Sequence, residues 1–269
     1  SANDPSFNGT VNTWEDKSAS TNIHNALADA TSAPDFIDSN IKFDGSTSYL
    51  KVQRHTDLNR STADEKNLTV SIKTDNDIST RQVIYEEGDE NRGMNVYIDS
   101  GNLYCGFWNI TDNGDGAQPF VSVSSPISVN STYHVTWSLD YSNFAGADGP
   151  DGSVECYVNN SSIGAVATTS RLFSHSGDIA LGAQLKRSHY HDGGDTINKA
   201  HFFKGNILEF IIAASTPDTN GVNAIHDYLR GKWSGSELSS PNNLVLTNNS
   251  TLTSSASISW SPIESPHFI

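Results

Sequence analysis

An all-β fold is what this sequence predicts: a two-sheet antiparallel jelly-roll sandwich with one short C-terminal helix. Three observations carry it. Between Thr132 and Val158, Tyr133, Val135, Trp137 and Leu139 alternate with His134, Thr136 and Ser138, and Val154, Cys156 and Val158 alternate with Glu155, Tyr157 and Asn159. That period of two marks strands with one face in a core, and a Gly/Asp-rich loop joins them as antiparallel neighbours. A second pair, Asn95–Asp99 and Asn102–Trp108, meets at Ser100-Gly101 as a two-residue hairpin. Finally, hydrophobic residues make up only 35% of the 269-residue chain, and Asn, Ser, Thr, Asp and Gly fill much of the remainder, which suits strands and polar loops.

In chain order, residues 1–10 read as turn-forming. Ile41–Val52 predicts a strand, a tight turn and another strand. Asn67–Lys73 places Leu68, Val70 and Ile72 on one face, and Gln82–Tyr85 begins a strand that ends in the acidic run Glu86–Glu90, read as a solvated loop. In the hairpin, Ile98 pairs Leu103 and Tyr97 pairs Tyr104. Val96, Ile98, Leu103, Cys105 and Phe107 then share one face, and Tyr97, Tyr104 and Trp108 the other. Strands at Phe120–Val123, Ser162–Ala167, Asp178–Gly182 and Phe202–Ala213 follow. A helix capped near Asp218–Asn220 carries Val222, Ile225, Leu229 and Trp233 at helical spacing. About a dozen strands and a single helix complete a two-sheet jelly roll. Trp14, Trp137 and Trp233 read as core.

Cys105 and Cys156 both occupy apolar-facing strand positions. With Tyr133–Leu139 expected between their strands, they lie about two strand spacings, ~10 Å, apart. A disulfide needs Cα atoms within about 7 Å, so the expectation is two free buried thiols, unless the strand order differs.

The net charge of −15 repels phosphates and anionic membrane surfaces, so nucleic acid is not an expected partner. No stretch approaches the ~20 apolar residues of a membrane-spanning helix. The chain begins with Ser and shows no leader, which predicts a trimmed piece of something longer.

Several stretches, in order, resemble a known family. They are Val11-x-x-Trp14-x-Asp16-x-Ser18, Pro34-x-Phe36, Phe43-Asp44-Gly45-x-x-x-Tyr49-Leu50, Gly152-x-Val154-x-x-Tyr157-Val158-Asn159, Ile179-x-Leu181-Gly182-Ala183, Phe203-x-Gly205-x-Ile207-x-Glu209-Phe210 and Tyr228-Leu229-x-x-Lys232-Trp233. Together they look like the bacterial and phage concanavalin A-like domain of laminin-G-like type, across roughly residues 11–235. The strand that usually precedes the Trp-x-Asp stretch is not evident. The resemblance implies a jelly roll over residues 1–235 and says little of function, since such domains bind sugars, proteins or calcium, or hold assemblies together. Residues 236–269, a Ser/Pro linker and two strand-like stretches ending at Trp260, resemble the start of a fibronectin type III module.

Three chemistries compete for the site. Retaining glycosidases need two carboxylates ~5 Å apart, and Glu86-Glu87-Gly88-Asp89-Glu90 has the wrong spacing, so an enzyme is not expected. Asp112, Asp115, Asp148 and Asp151 put hard oxygens on turns that suit Ca²⁺, while turns are made of such residues in any case. His189, His191, Asp192 and Asp195 offer a softer metal such as Zn²⁺ a second set. Tyr97, Tyr104 and Trp108, with Asn95 and Asn102 beside them, form an aromatic platform for the flat face of a sugar, unless loops or the other sheet cover it. The expected function is a non-catalytic carbohydrate-binding or adhesion module of an extracellular or surface protein, assisted by Ca²⁺ and recognising a glycan or cell-surface polysaccharide. The alternative is a structural part of a virus particle, such as a phage fibre, tail tip or capsid decoration. There the C-terminal segment docks on a neighbouring domain or subunit, and the chain forms a homo-oligomer.

Overall fold

The computed structural model describes residues 9–18, 20–38, 40–111, 116–142, 152–193 and 199–233. The expected calcium turns with Asp112, Asp115, Asp148 and Asp151, the loop residue Asp195 and the fibronectin-like segment 236–269 lie outside them. In chain order come β1 (Gly9–Thr10), β2 (Thr13–Trp14), β3 (Ala26–Leu27), β4 (Asp35–Ile37), β5 (Asn40–Asp44) and β6 (Leu50–Val52). The long strands follow: β7 (Glu65–Thr74), β8 (Gln82–Gly88), β9 (Arg92–Asp99), β10 (Asn102–Asn109), β11 (Gln118–Pro126) and β12 (Thr132–Asp140). The rest are β13 (Gly152–Val158), β14 (Ser161–Thr168), β15 (Ile179–Leu181), β16 (Lys204–Ala213) and the helix α1 (Thr219–Trp233).

Two eight-stranded antiparallel sheets face each other. One has the order β1-β4-β5-β16-β7-β12-β13-β14 and the other β11-β10-β9-β8-β15-β6-β3-β2. Their inner faces supply the core, with Phe43, Leu68, Val70, Ile72, Val135, Trp137, Leu139 and Ile207 from the first sheet and Leu50, Ile84, Val96, Ile98, Leu103 and Phe107 from the second. The hairpin forms as expected, with Ile98 opposite Leu103 and Tyr97 opposite Tyr104. Its turn residues Ser100 and Gly101 both take positive φ (48° and 78°), the conformation that matches a two-residue turn to the twist of its strands.

The cysteines depart from expectation. β10 and β13 belong to opposite sheets, so β12, which pairs with β7 and β13, does not lie between the two cysteine strands. Cys105 and Cys156 therefore meet across the sandwich with Cα atoms 6.5 Å apart and form a disulfide. Alternation told which face each thiol occupies, not which sheet.

The acidic run departs as well. Glu86 and Glu87 belong to β8 and are buried (1% and 0% exposed). They are no solvated loop. Glu87, turned to the interior, accepts from Lys66 Nζ (2.6 Å), which also donates to Leu58 O (2.9 Å), and His175 Nε2 lies 3.4 Å away. Burial alone would raise the Glu87 carboxyl, but Lys66 and His175 outweigh it and hold it at about 2. Glu86 faces outward under a covering loop, where burial pushes its carboxyl well above the ordinary range.

The Phe43-Asp44-Gly45 stretch is a corner by which the chain leaves one sheet for the other. Asp44 Oδ1 accepts the backbone N–H of Ser46 (2.8 Å), Thr47 (2.9 Å) and Ser48 (2.9 Å), and its carboxylate also takes all three hydroxyls. Asp16 does the same for the first loop, accepting from Ser18 N (2.7 Å) and His24 N (2.9 Å).

The outer face of β12, which carries the polar residues His134, Thr136 and Ser138, is buried because α1 packs on it. Asp218 caps the helix, its Oδ1 accepting from Gly221 N at 2.7 Å. Inside the contact, His226 Nδ1 accepts the Asn160 N–H (3.0 Å), and its Nε2 meets Thr136 Oγ1 (2.9 Å), itself bonded to Thr69 Oγ1 (2.8 Å). His134 Nδ1 meets Ser71 Oγ (2.8 Å), and the two imidazoles lie 6.1 Å apart. A proton on His226 Nδ1 would face the Asn160 N–H. Burial first, then neighbouring positive charge (Arg230 for both rings, His134 for His226), lowers both rings from 6.5 to about 4, against weak opposition at His226 from Asp227.

These depressed values contribute stability that is fully present above pH 6.5 and lost as the pH falls toward 4. Glu86 and Glu209, whose carboxyls burial raises, act in the opposite sense over part of that window. The readout is therefore the difference between this chain and a His134→Gln/His226→Gln variant in melting temperature from pH 7 to 4. We expect the native chain to lose stability faster on acidification; parallel curves would remove the two histidines as the cause.

Candidate functional site

The outer face of β8, β9, β10 and β11 gathers the expected platform residues. Tyr97 and Tyr104 stack with ring centroids 4.9 Å apart and planes within 7°. Trp108 lies further along β10, its Nε1 donating to Asp89 O (3.0 Å) and its ring 6.2 Å from Phe120. Between them Gly106 keeps the surface flat, since a Cβ there would collide with Asn95 Oδ1 and the Phe120 ring.

The stretch from Gln184 to Gly193 crosses this face and covers much of it. Asn95 Nδ2 donates to Ser188 Oγ (3.0 Å) and His189 O (2.8 Å). The His191 N–H donates to Tyr97 Oη (3.0 Å), and that hydroxyl also meets His191 Nδ1 (3.0 Å). Tyr190 sets its edge against Tyr97 at 5.0 Å, and the Arg81 guanidinium lies 4.2 Å over the Tyr190 ring. Asn95, Tyr97 and Trp108 are consequently buried, and burial pushes the Tyr97 phenol up.

Among the described residues, His189, His191 and Asp192 do not bring their ligand atoms together, and Asp195 lies outside those residues. His189 Nε2 meets Glu90 O (2.8 Å), His191 engages Tyr97, and Asp192 pairs with Arg81 (2.7 Å), which also grips Asp99 through Nε (2.8 Å) and Nη2 (2.6 Å).

What remains open is a narrower surface. Tyr104 is half-buried and stacks on the exposed imidazole of His191, centroids 4.2 Å apart and planes within 9°. The register of β10 with β11 sets Ser124 opposite Tyr104 and Ser122 opposite Gly106, and Phe120, Ser122 and Ser124 are half-buried or exposed. Asn102, also half-buried, donates from Nδ2 to Ser100 O (3.1 Å) at the hairpin tip. Beside that tip lies a shallow hollow lined by Asn76, Asp77, Ile78, Ser79, Ser100, Gly101 and Val129. Thus Tyr104 and Asn102 stay accessible, while Phe120, Ser122, Ser124 and the stacking role of His191 were not foreseen. The alternation of Phe120, Ser122 and Ser124 with Val121 and Val123 was the available signal for the serines.

No protein-family model matches the chain, and no curated protein is detectably similar to it. Solved structures do resemble it. The receptor binding domain of botulinum neurotoxin D aligns over 85% of this chain and 54% of its own, with a TM-score of 0.53 at 12% identity. A second structure of the serotype D binding domain gives a TM-score of 0.53 at 12% identity over 82% and 51%. The serotype G binding domain gives 0.51 at 10% identity over 82% and 47%. The shared feature is the fold: a jelly-roll β-sandwich. The chain spans about half the length of these structures, and at such identity the likeness reaches no further than the fold.

Proposed function

We propose that this chain is a non-catalytic binding module that recognises carbohydrate through the open face around Tyr104. The carrying observation is an accessible tyrosine ring, stacked on His191 and rimmed by the hydroxyl and amide groups of Ser122, Ser124 and Asn102. A flat aromatic area with hydrogen-bonding neighbours is what a sugar ring needs. The rigid base of buried Tyr97 and Trp108 and the clamp of Arg81 between Asp99 and Asp192 hold that ring in place before a ligand arrives. The sandwich resembles the binding and receptor binding domains of botulinum neurotoxins, which supports the reading without identifying a ligand. The inter-sheet disulfide favours an oxidising, extracellular or surface setting, and the Asp-rich turns in the sequence keep Ca²⁺ as part of the proposal.

The test is a glycan array probed with the chain in Ca²⁺ and in chelator, followed by titration of the best ligand. Because Tyr104 is half-exposed, Tyr104→Ala folds normally and weakens binding roughly tenfold, as expected for an aromatic contact of ~0.5–1.5 kcal/mol beyond its buried area. An array silent under both conditions, or an unchanged titration with Tyr104→Ala, would sink the proposal. A trimer or larger assembly in light scattering, with no glycan bound, moves the reading to a component of a virus particle.

A further inference from the structure

At the edge of the second sheet opposite β11, two histidines and an aspartate converge in a way no motif announced. β3 pairs with β6 so that Ala26 lies opposite Val52 and Leu27 opposite Lys51. The residues just before Ala26 and just after Val52 therefore share one corner, and those residues include His24 and His55. A tight turn follows His55: its carbonyl accepts the N–H of Leu58 (3.1 Å), Asn59 (3.0 Å) and Arg60 (2.9 Å), and Asp57 rides on that turn. Buried Asn59 rivets the turn to the interior by donating from Nδ2 to Gly177 O (2.8 Å). On the other side, Asp16 fixes the backbone at His24.

The result is a set of three ligand atoms, one each from His24, His55 and the Asp57 carboxylate, all within 4.8 Å of one another. His24 Nε2 lies 2.9 Å from Asp57 Oδ2, His55 Nδ1 contacts Asp57 Oδ1, and the imidazole centroids are 5.0 Å apart. Asn22 Nδ2 donates to Asp57 Oδ2 (2.9 Å) and so orients the carboxylate from behind. Tetrahedral Zn²⁺ with bonds of 2.0–2.1 Å separates its ligand atoms by roughly 3.3 Å, so small side-chain rotations suffice to admit the ion. The imidazoles are half-buried and the carboxylate exposed, which leaves an entry path and one position for water.

We propose that His24, His55 and Asp57 form a binding site for a divalent transition-metal ion of the Zn²⁺ class, held by two imidazoles and one carboxylate with water at the open position. Imidazole nitrogen selects such ions over Ca²⁺ and Mg²⁺, which prefer oxygen. The site is separate from the face around Tyr104 and stands whether or not that face binds sugar. By clamping the first loop to the turn after β6, the ion closes the edge of the sheet at β2 and β3, its shortest strands.

The test uses the untagged chain and ZnCl₂ alone. Calorimetric titration is expected to show one Zn²⁺ per chain with a micromolar dissociation constant, and the melting temperature to rise by a few degrees in excess Zn²⁺. His24→Ala and His55→Ala each weaken binding at least tenfold and abolish the rise, whereas His189→Ala changes neither. Should either alanine variant fold poorly, Co²⁺ added to the native chain gives visible absorption bands diagnostic of a four-coordinate site. No binding at millimolar Zn²⁺, undiminished binding in both variants, or a Co²⁺ spectrum of the hexaaqua ion would overturn the assignment and leave the trio as a hydrogen-bonded clasp.

Discussion

Replacing Lys66 with Met is expected to destabilise the chain by about 3–5 kcal/mol at neutral pH, the cost of leaving one member of a buried ion pair without its partner. Against a total stability of roughly 5–15 kcal/mol for a domain, that approaches unfolding. The ammonium 2.6 Å from Glu87 is 3% exposed and the carboxylate not at all, so water cannot take its place. In the native chain the depressed Glu87 value contributes stability that is complete above about pH 4.5 and lost as the pH falls toward 2. Without Lys66 only His175 opposes the effect of burial, so the carboxylate is held down less. The gap between the two proteins is then widest at neutral pH and closes on acidification. Chemical denaturation at pH 7 and pH 2.5 reads both quantities. A Lys66→Met/Glu87→Gln double variant recovers much of the loss; a double variant no better than the single would mean the cost lies in packing rather than in charge.

The second large effect belongs to the disulfide. Cys105 and Cys156 close a loop of 51 residues, and a cross-link of that span constrains the unfolded chain by about 4 kcal/mol. A Cys105→Ala/Cys156→Ala variant should melt roughly 10 °C below the native chain, with its core still apolar. Substitution is the cleaner experiment, because both sulfurs are buried and reductant reaches them only through opening. A variant melting within about 2 °C of the native chain would show that packing across the two sheets, not the bond, sets their separation.

Both effects arise where the sequence was hardest to read. Alternation along Asn95–Trp108 and Thr132–Leu139 identified the strands, their inner faces and the Ser100-Gly101 turn, because each depends on residues adjacent in the chain. Apolar spacing along Val222, Ile225 and Leu229 identified the helix for the same reason, though not that His226 would bury the far side of β12. Face is a local property, but the choice of sheet is not. Cys105 and Cys156 looked like residents of one sheet, two strands apart, and are opposite each other instead. Glu86 and Glu87 looked solvated because the loop that covers Glu86 and the partners of Glu87, Lys66 and His175, are remote in the chain. The candidate site divides along the same line. Tyr97, Tyr104 and Trp108 were legible as one face; the covering stretch from Gln184 to Gly193 was not, since its path follows from Asn95, Tyr97 and Arg81 gripping it.

The strand order carries a consequence for biosynthesis. β16 lies between β5 and β7, and β15 lies between β6 and β8. Each sheet thus has an inner slot that only a late-synthesised strand can fill. A nascent chain emerging from the ribosome exposes the long apolar edge of β7 until Lys204–Ala213 has been made, and no shorter product can close that gap. Folding of such a chain waits for its C-terminal portion and proceeds slowly, as non-local pairings do. In that interval the open edges invite aggregation, and Cys105 and Cys156 remain unjoined until the two halves come together.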